Sequence, residues 1–363
     1  MARIACVAKQ YNEIDVCGTL ISNCAFQHWA YHLGHQAVQV GFTGRGKPLK
    51  NWIDPGEGML KAYGQDAYYD VLNGSYDAVY FSTGGSRPSS RRPPEFMEFK
   101  HLRVPFIVGV HDEDDYAAYE ENLRAMAEHR MFRGFVVNGV EAFELIPIHA
   151  PKYLWFPCTL PAYLLKESTE WNEGSRGLLY AGRLIHWRRL PILAELTKSD
   201  AFMDQVQSIV EVRGPAPGVG GHALEEKLAA MGPRWSRLQG FFDILNCLAG
   251  REMYRSRRFF WDVGRTDPGK RYYRRLNLVA VEALGQGSVP IVSPEFAPAW
   301  THEFCVLFDH RSWSIEDTVR KLRAINERYD NHRAHMREII LNSPWSFEGV
   351  KAQFRKVLDA LLN

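Results

Sequence analysis

Residues Arg271–Pro290 read RYYRRLNLVAVEALGQGSVP and mark the fold more clearly than any other part of the chain. Apolar residues recur here at helical spacing, which predicts a helix over Asn277–Gly285 with one buried face. Glycine at 285 and 287 is typical of the end of a helix, and the apolar residues that follow predict a strand over Val289–Ser293. A helix followed at once by a buried strand is the repeating unit of an α/β fold.

Glu282 lies inside the apolar run of this predicted helix. An unpaired carboxylate in an apolar environment is strongly unfavourable, so a buried Glu282 needs hydroxyl groups or a cation that donate to it. The sequence therefore predicts that Glu282, if it is buried, lies beside such a partner. The simpler alternative is an ordinary helix on which this glutamate is partly exposed to water.

The composition predicts a soluble protein of two ordinary domains. The 363 residues are 46% hydrophobic and 24% charged, and a chain of this length can bury two separate cores. Because the net charge is only +2, any binding to nucleic acid would depend on local basic patches. No apolar run reaches the length of a membrane span, and the six scattered cysteines form no CxxC pair. We therefore expect reduced thiols and a cytoplasmic location, with no membrane partner.

Strands and helices alternate along the chain in two series, which predicts two domains that each contain a parallel sheet covered by helices. The first series begins with a strand at Ile4–Ala8, and the second begins with a strand at Leu178–Ala181. Pro157–Ser175, which is rich in proline and charged residues, is the predicted linker. We place the domains at residues 1–165 and 166–345, and an apolar stripe predicts a final helix within residues 346–363.

Two glycine-containing motifs are candidate phosphate-binding elements. Gly182-Arg183 follows a predicted strand, and Arg188 comes five residues later at the start of a predicted helix. Two cations at this spacing can hold a diphosphate from both sides and neutralise the charge on a departing nucleotide. Gly18 begins the first long helix, where a ligand could approach the backbone. The alternatives are a solvated basic helix start for Arg188 and a plain turn glycine for Gly18.

His111 and Asp112 follow the predicted strand Phe106–Val110, at the edge where open α/β sheets bind ligands. An imidazole and a carboxylate at such a place could orient sugar hydroxyls and accept the proton of an acceptor hydroxyl. The acidic residues that follow them are explained by the helix dipole, and in that interpretation Asp112 is only a helix cap. The spacing of a metal-binding helix is missing here.

Basic residues cluster in a proline-rich loop around residues 86–94 and again around residues 251–258. In a chain of nearly neutral charge such clusters suit phosphate contacts, which would make binding sensitive to salt. The alternative is a set of scattered arginines on solvated surfaces. The candidate phosphate contacts in these clusters are Arg87, Arg91, Arg92, Arg255 and Arg258.

Taken together, these motifs resemble the retaining nucleotide-sugar glycosyltransferases of the GT-B type. The resemblance rests on the helix that carries Glu282, with Ala-Leu-Gly-x-Gly-x-Val-Pro-Ile after it, and on Gly182-Arg183 with a cation at 188. In that family a second glutamate lies eight residues before the first, and here that place is taken by Arg274. Within the family the chain is most similar to the phage DNA α-glucosyltransferases that act on hydroxymethylcytosine, which share this arginine.

The resemblance implies an α/β fold with two Rossmann-like domains facing across a cleft and a C-terminal helix that packs back on the first domain. It implies a UDP-sugar donor, with UDP-glucose the first choice, and no tightly bound metal. Gly18 and Arg274 would belong to the donor site, Glu282 would hold the ribose, and Arg183 and Arg188 would hold the diphosphate, with Arg188 replacing the lysine of the family. Guanidinium keeps the charge of that lysine but changes the geometry from a point to a planar fork.

The same resemblance implies transfer, with retention of configuration, to a hydroxymethylated pyrimidine in double-stranded DNA. The base would be flipped out of the duplex to reach the site. His111 would touch the donor sugar, and Asp112 would take the acceptor proton. Two alternatives stay open: a glycosyltransferase that acts on surface polysaccharide or a small molecule, and a non-catalytic DNA-binding protein with a decayed glycosyltransferase fold.

Overall fold

A computed structural model shows that the chain forms two compact units. One unit is made of Met1–Thr159 together with Glu348–Asn363, and the other is Leu160–Phe347. The predicted linker Pro157–Ser175 lies outside the described residues. The structure describes residues 1–8, 18–41, 60–63, 65–81, 101–110, 113–138, 146–156, 176–182, 184, 188–214, 218–230, 232–238, 253–264 and 276–363.

The described strands of the first unit form one parallel sheet. They are β1 (Arg3–Ala8), β2 (Gln36–Gly41), β3 (Leu60–Tyr63), β4 (Ala78–Phe81), β5 (Phe106–Val110), β6 (Phe132–Val137) and β7 (Lys152–Leu154). Their order in the sheet is β3-β2-β1-β4-β5-β6-β7. The central strands β4 and β5 are buried along their whole length, which explains their continuous apolar sequences AVYF and FIVGV. Helices described between these strands are α1 (Gly18–His32), α2 (Gln65–Leu72) and α3 (Glu113–Ala127).

The second unit repeats this architecture. Its described strands are β8 (Leu178–Ala181), β9 (Val210–Arg213), β10 (Trp235–Leu238), β11 (Phe259–Asp262), β12 (Val289–Val292) and β13 (Val306–Leu307), in the order β10-β9-β8-β11-β12-β13. All described pairs are parallel. Its described helices are α4 (Leu190–Leu196), α5 (Asp200–Val206), α6 (Gly218–Ala229), α7 (Leu278–Gly285), α8 (Ile315–Asn326) and α9 (Tyr329–Asn342). The predicted α/β class is confirmed.

The helix and strand predicted from residues 271–290 are present as α7 and β12. Asn277 is the N-cap of α7, and the chain turns through Gln286 and Gly287 before β12 begins. Gly287 has a φ of 81°, the left-handed conformation that favours glycine after a helix. Ala280, Val281, Ala283 and Leu284 are buried, so α7 is packed on most of its circumference.

The final helix α10 (Phe347–Leu362) packs on the first unit, as predicted. The ring of Phe354 lies 4.9 Å from the ring of Phe26 on α1 and 5.0 Å from the ring of Trp155, measured between centroids. Tyr80 of β4 stacks on the other side of this cluster, 4.3 Å from Phe26. Within the described ranges, no helix combines the length and the hydropathy needed to cross a bilayer.

Three strands that the sequence did not indicate lie at the margins of the two sheets. β3 and β7 are the outer strands of the first sheet, and β10 is an outer strand of the second. Their sequences LKAY, KYL and WSRL mix charged or polar residues with apolar ones. An outer strand has a neighbour on one side only, so it need not be apolar throughout, and its sequence signal is weak.

Candidate active site

The candidate site is built on the edge of the second sheet where the parallel strands end. β8 ends before Gly182, β11 ends in Asp262, and β12 ends before Ser293. Ser293 joins the ends of β11 and β12: its hydroxyl donates to the Gly264 carbonyl at 2.9 Å and accepts from the Gly264 N–H at 3.1 Å. A Cβ on Gly264 would lie 2.8 Å from the Phe296 ring, so only glycine allows this close packing.

Arg188 is held in place at this edge from two sides. Its Nη1 donates to Oδ1 of Asp262 at 2.7 Å, and its backbone carbonyl accepts from the Trp261 indole N–H at 3.1 Å. About a quarter (27%) of the Arg188 side chain stays exposed. A guanidinium has five N–H donors, so an arginine tied to one carboxylate oxygen keeps donors for a ligand.

Asp262 is almost fully buried, at 2% exposure, and both of its carboxylate oxygens are used. Oδ1 accepts from Arg188, and Oδ2 accepts from the Asn277 amide at 2.8 Å. Burial raises the pKa of Asp262, while Arg188 and Asn277 act in the opposite direction. The carboxylate therefore connects the loop after β8 to the N-terminus of α7.

Glu282 lies on α7 with only 4% of its surface exposed. Its Oε2 accepts a 2.8 Å hydrogen bond from the Tyr254 hydroxyl, the kind of donor that a buried glutamate requires. Burial raises the pKa of Glu282 to about 7, and the hydrogen bond from Tyr254 opposes this effect. Near neutral pH the residue is therefore poised between its protonated and charged forms.

A second cationic group lies beside Arg188. Arg189 is the N-cap of α4 and adopts φ 52° and ψ 28°, the left-handed conformation that is strained for a residue other than glycine. Among the described residues, its Nε and the Nδ1 of His310 are buried and have no hydrogen-bond partner. Burial and the nearby charges of Arg189 and Arg311 lower the pKa of His310. The loop after β8 thus supplies two adjacent cations, Arg188 and Arg189, which favour an anionic ligand. Arg311, in the loop after β13, is instead paired with Glu295 at 2.8 Å.

Of the residues predicted for the site, the structure places Arg188 and Glu282 in the second unit, linked through Asp262, Asn277 and α7. Gly18 is the first residue of α1, as predicted. Sequence reasoning missed Asp262, Asn277, Arg189 and His310; the aspartate that ends the apolar strand FFWD was the one available signal. The remaining predicted residues lie outside the described part of the chain: His111, Asp112, Arg183, Arg274, Arg87, Arg91 and Arg92.

Arg255 requires a correction. It is buried, at 6% exposure, and its Nε donates to the Gln286 side chain at 3.1 Å. Because its guanidinium serves this internal contact, we remove Arg255 from the candidate phosphate contacts. The Arg258 guanidinium lies 4.3 Å above the Tyr329 ring and donates to Asn326 at 2.8 Å, and burial lowers its pKa. Arg258 is only partly buried, so its contact with phosphate stays a prediction. Both residues precede β11 and so lie at the opposite end of that strand from Asp262.

Metal ligation has no counterpart in the part of the chain that the structure describes. No three histidine, cysteine, aspartate or glutamate side chains come together there as a group that could hold an ion. The expectation that no metal is tightly bound stays a prediction.

The chain has the GT-B fold, which comparison with solved structures establishes over its full length. One match is an alpha-glucosyltransferase in complex with UDP and a 13-mer DNA (13% identity, 100% of this chain and 99% of that chain covered, TM-score 0.70). Another is an alpha-glucosyltransferase in complex with UDP-glucose and DNA containing an abasic site (15% identity, 100% of both chains, TM-score 0.70). A third is S. aureus TarM in complex with UDP, Fondaparinux and alpha-GlcNAc-glycerol (9% identity, 100% of both chains, TM-score 0.70). No protein-family profile and no curated protein sequence matches the chain.

Replacing Glu282 by glutamine should change how stability depends on pH. Between pH 4.5, the ordinary pKa of a glutamate, and about 7, the folded chain keeps the proton that the unfolded chain loses. The free energy of unfolding therefore falls as pH rises through this window, by up to about 3 kcal/mol. Glu282→Gln removes this loss and keeps an acceptor for Tyr254, so it should stabilise the protein at pH 8 and have little effect at pH 4.

Urea unfolding of the parent and the variant at pH 4, 6 and 8 measures the effect. Glu338→Gln is the matched control, because Glu338 is exposed on α9 and its removal should leave the pH profile unchanged. If Glu282→Gln shows the same decline between pH 4 and pH 8 as the parent, the desolvated carboxylate is not its source.

Proposed function

We propose that the protein is a cytoplasmic glycosyltransferase that moves glucose from UDP-glucose to the hydroxymethyl group of a pyrimidine in DNA, with retention of configuration. The observation that carries the proposal is the anchored Arg188 beside Arg189 at the carboxyl edge of the second sheet. In a GT-B fold whose solved neighbours contain UDP or UDP-glucose, these cations suit a nucleotide diphosphate.

The second unit would bind the donor. Arg183 and Arg188 would hold the diphosphate and neutralise the charge that develops on it as it leaves. The 2.7 Å contact with Asp262 holds the Arg188 guanidinium before the ligand arrives, so less side-chain freedom is lost on binding. Glu282 would accept from the ribose hydroxyls, and Gly18 and Arg274 would complete the donor site. Since the two arginines supply positive charge, the proposal includes no tightly bound metal.

The first unit would supply the groups that act on the acceptor. The acceptor hydroxyl oxygen forms a bond to the anomeric carbon of the sugar as the bond from that carbon to the UDP oxygen breaks. The electron pair of the broken bond stays with UDP, and Asp112 takes the hydroxyl proton. His111 would contact the donor sugar. Both residues follow β5, the strand that ends at Val110.

The observations constrain the identity of the acceptor less than that of the donor. Two of the matched structures are alpha-glucosyltransferases in complexes with DNA, which supports a DNA acceptor. A pyrimidine inside a duplex cannot enter an enzyme site, so the base would be flipped out. With Arg255 assigned to an internal contact, the proposed phosphate contacts of double-stranded DNA are Arg87, Arg91, Arg92 and Arg258.

A glycosyltransferase acting on polysaccharide or a small molecule is the second candidate. TarM, whose structure contains Fondaparinux and alpha-GlcNAc-glycerol, matches this chain with the same TM-score of 0.70 as the alpha-glucosyltransferases. Since a shared fold does not identify an acceptor, the donor half of the proposal is common to both candidates. The third possibility, a decayed enzyme that only binds DNA, predicts binding of modified DNA without release of UDP.

Mass spectrometry of nucleosides tests the function directly. The protein is incubated with DNA that contains 5-hydroxymethylcytosine or 5-hydroxymethyluracil and with a panel of UDP-sugars, and the DNA is then digested to nucleosides. We expect a hexosylated hydroxymethyl nucleoside with UDP-glucose. Release of UDP with a polysaccharide or glycerol acceptor, and none with modified DNA, would favour the second candidate instead.

Removing Arg188 should weaken binding of UDP-glucose. Loss of one charge-assisted phosphate contact costs about 1.5–3 kcal/mol, which is roughly a ten- to hundred-fold rise in Kd for Arg188→Ala. Asp262→Asn should have a smaller effect in the same direction, because the guanidinium remains but loses its charged partner. Calorimetric titration measures both. Arg320→Ala, an exposed arginine on α8 of the same unit, should bind like the parent, and equal affinity in all four proteins would place the donor elsewhere.

Asp112→Asn should slow transfer without changing donor affinity. Asparagine keeps the size of the side chain but cannot accept the proton, and general-base assistance is typically worth about 10²–10⁴ in rate. His111→Ala should affect both kcat and the affinity for the donor. Single-turnover rates with saturating modified DNA isolate the chemical step. If Asp112 is only a helix cap, asparagine caps nearly as well, and the variant would stay within a few-fold of the parent rate.

A further inference from the structure

A cavity of about 500 Å³ opens in the first unit, at the amino end of β5. Two short segments supply most of its polar lining, one before β5 and one between α3 and β6. They contribute two arginines and two histidines, and the end of α2 forms another wall. The basic lining residues are His101, Arg103, His129 and Arg130.

The parallel sheet brings these two segments together. The Phe106 N–H, at the start of β5, donates to the Met131 carbonyl at 2.9 Å, so the residues just before β5 and β6 lie side by side. The His129 ring packs against the Phe106 ring with 5.5 Å between centroids. Its Nδ1 accepts from the Met131 N–H at 3.2 Å, which places the ring proton of neutral His129 on Nε2.

The described lining of this cavity carries cations and no acid. None of the eight lining residues that the structure describes is an aspartate or a glutamate. Within the described part of the chain, the Arg103 and Arg130 guanidinium groups form no ion pair, whereas Arg124 of the same unit pairs with Glu120 at 2.6 Å. Two uncompensated guanidinium groups in a concave site concentrate positive potential, and their planar N–H groups match the oxygens of a phosphate.

We propose that this cavity is a second anion site that binds the phosphate of a nucleotide-sized ligand. Its volume lies within the range of about 300–1,000 Å³ that small-molecule sites occupy. Arg103 and Arg130 hold the phosphate, and the half-exposed ring of Tyr69 (47%) offers a surface for the base. Leu102, which is buried, forms part of the floor.

The site is distinct from the predicted catalytic residues of the first unit. It lies at the amino end of β5, whereas His111 and Asp112 follow the carboxyl end of the same strand. Five residues of strand separate the two ends by about 16 Å. A nucleotide bound here would leave that end of the strand open, and the proposal holds whatever the acceptor of the enzyme is.

Equilibrium dialysis with radiolabelled AMP tests the site on the full chain. Every chain in the dialysis carries Arg188→Ala, which weakens the proposed donor site, and UDP is left out because its phosphates would compete for the cavity. We expect one bound equivalent of AMP, an affinity lower by about ten-fold or more in the Arg103→Ala, Arg130→Ala double variant, and parent-like binding in Arg124→Ala. Arg124→Ala is the matched control because it removes an exposed arginine from the same unit.

Two further measurements show which part of AMP the cavity recognises. Inorganic phosphate should displace AMP, and Tyr69→Ala should weaken binding of AMP while leaving that of phosphate unchanged. Because Arg103 and Arg130 are exposed, the double variant should unfold at the same temperature as the parent, so a loss of binding is not a loss of fold. No bound AMP, or equal affinity in the double variant and the parent, would overturn the proposal without affecting the transfer assays.

Discussion

The buried carboxylate of Asp262 must accept hydrogen bonds, and this requirement determines how parts of the second unit are placed. Asp262 ends β11 under the loops of the sheet edge, where water does not reach it, and each of its oxygens must accept a hydrogen bond. Arg188 comes from 74 residues earlier in the chain, and Asn277 comes from the N-terminus of α7. The strand end, the arginine loop and the helix are therefore placed relative to one another by a single side chain. Removing any one partner would leave the carboxylate partly unsatisfied.

The sequence predicted those elements whose burial is complete. AVYF, FIVGV and LLYA are buried along their whole length, and an uninterrupted apolar run is what such a strand looks like in sequence. The sequence did not predict β3, β7 and β10, because an outer strand tolerates lysine and arginine. Glu282 could be singled out because a charged residue in an apolar helix conflicts with its surroundings. The pairing of Arg188 with Asp262 could not be predicted, because spacing along a chain does not report contacts across a sheet.

The correction at Arg255 has the same cause. A run of arginines looks alike in sequence whether it faces water or packs inside. Arg255 is held by Gln286, and Arg258 is held by Asn326 and the Tyr329 ring. The aliphatic stem of arginine packs well against apolar surface, and its guanidinium suits stacking on an aromatic ring. Composition alone does not separate such structural arginines from those that bind phosphate, whereas burial does.

The order of assembly follows from the position of α10. Phe354 packs against both Phe26 and Trp155, yet it follows the whole second unit in the chain. A ribosome that has synthesised the first 159 residues has therefore not yet supplied the aromatic ring that completes their core. During synthesis the first unit would carry an uncovered apolar surface until the second unit has emerged and α10 has followed it. The second unit, whose strands and helices are contiguous in sequence, has no such delay. The C-terminal half of the protein is thus able to fold to completion before the N-terminal half does.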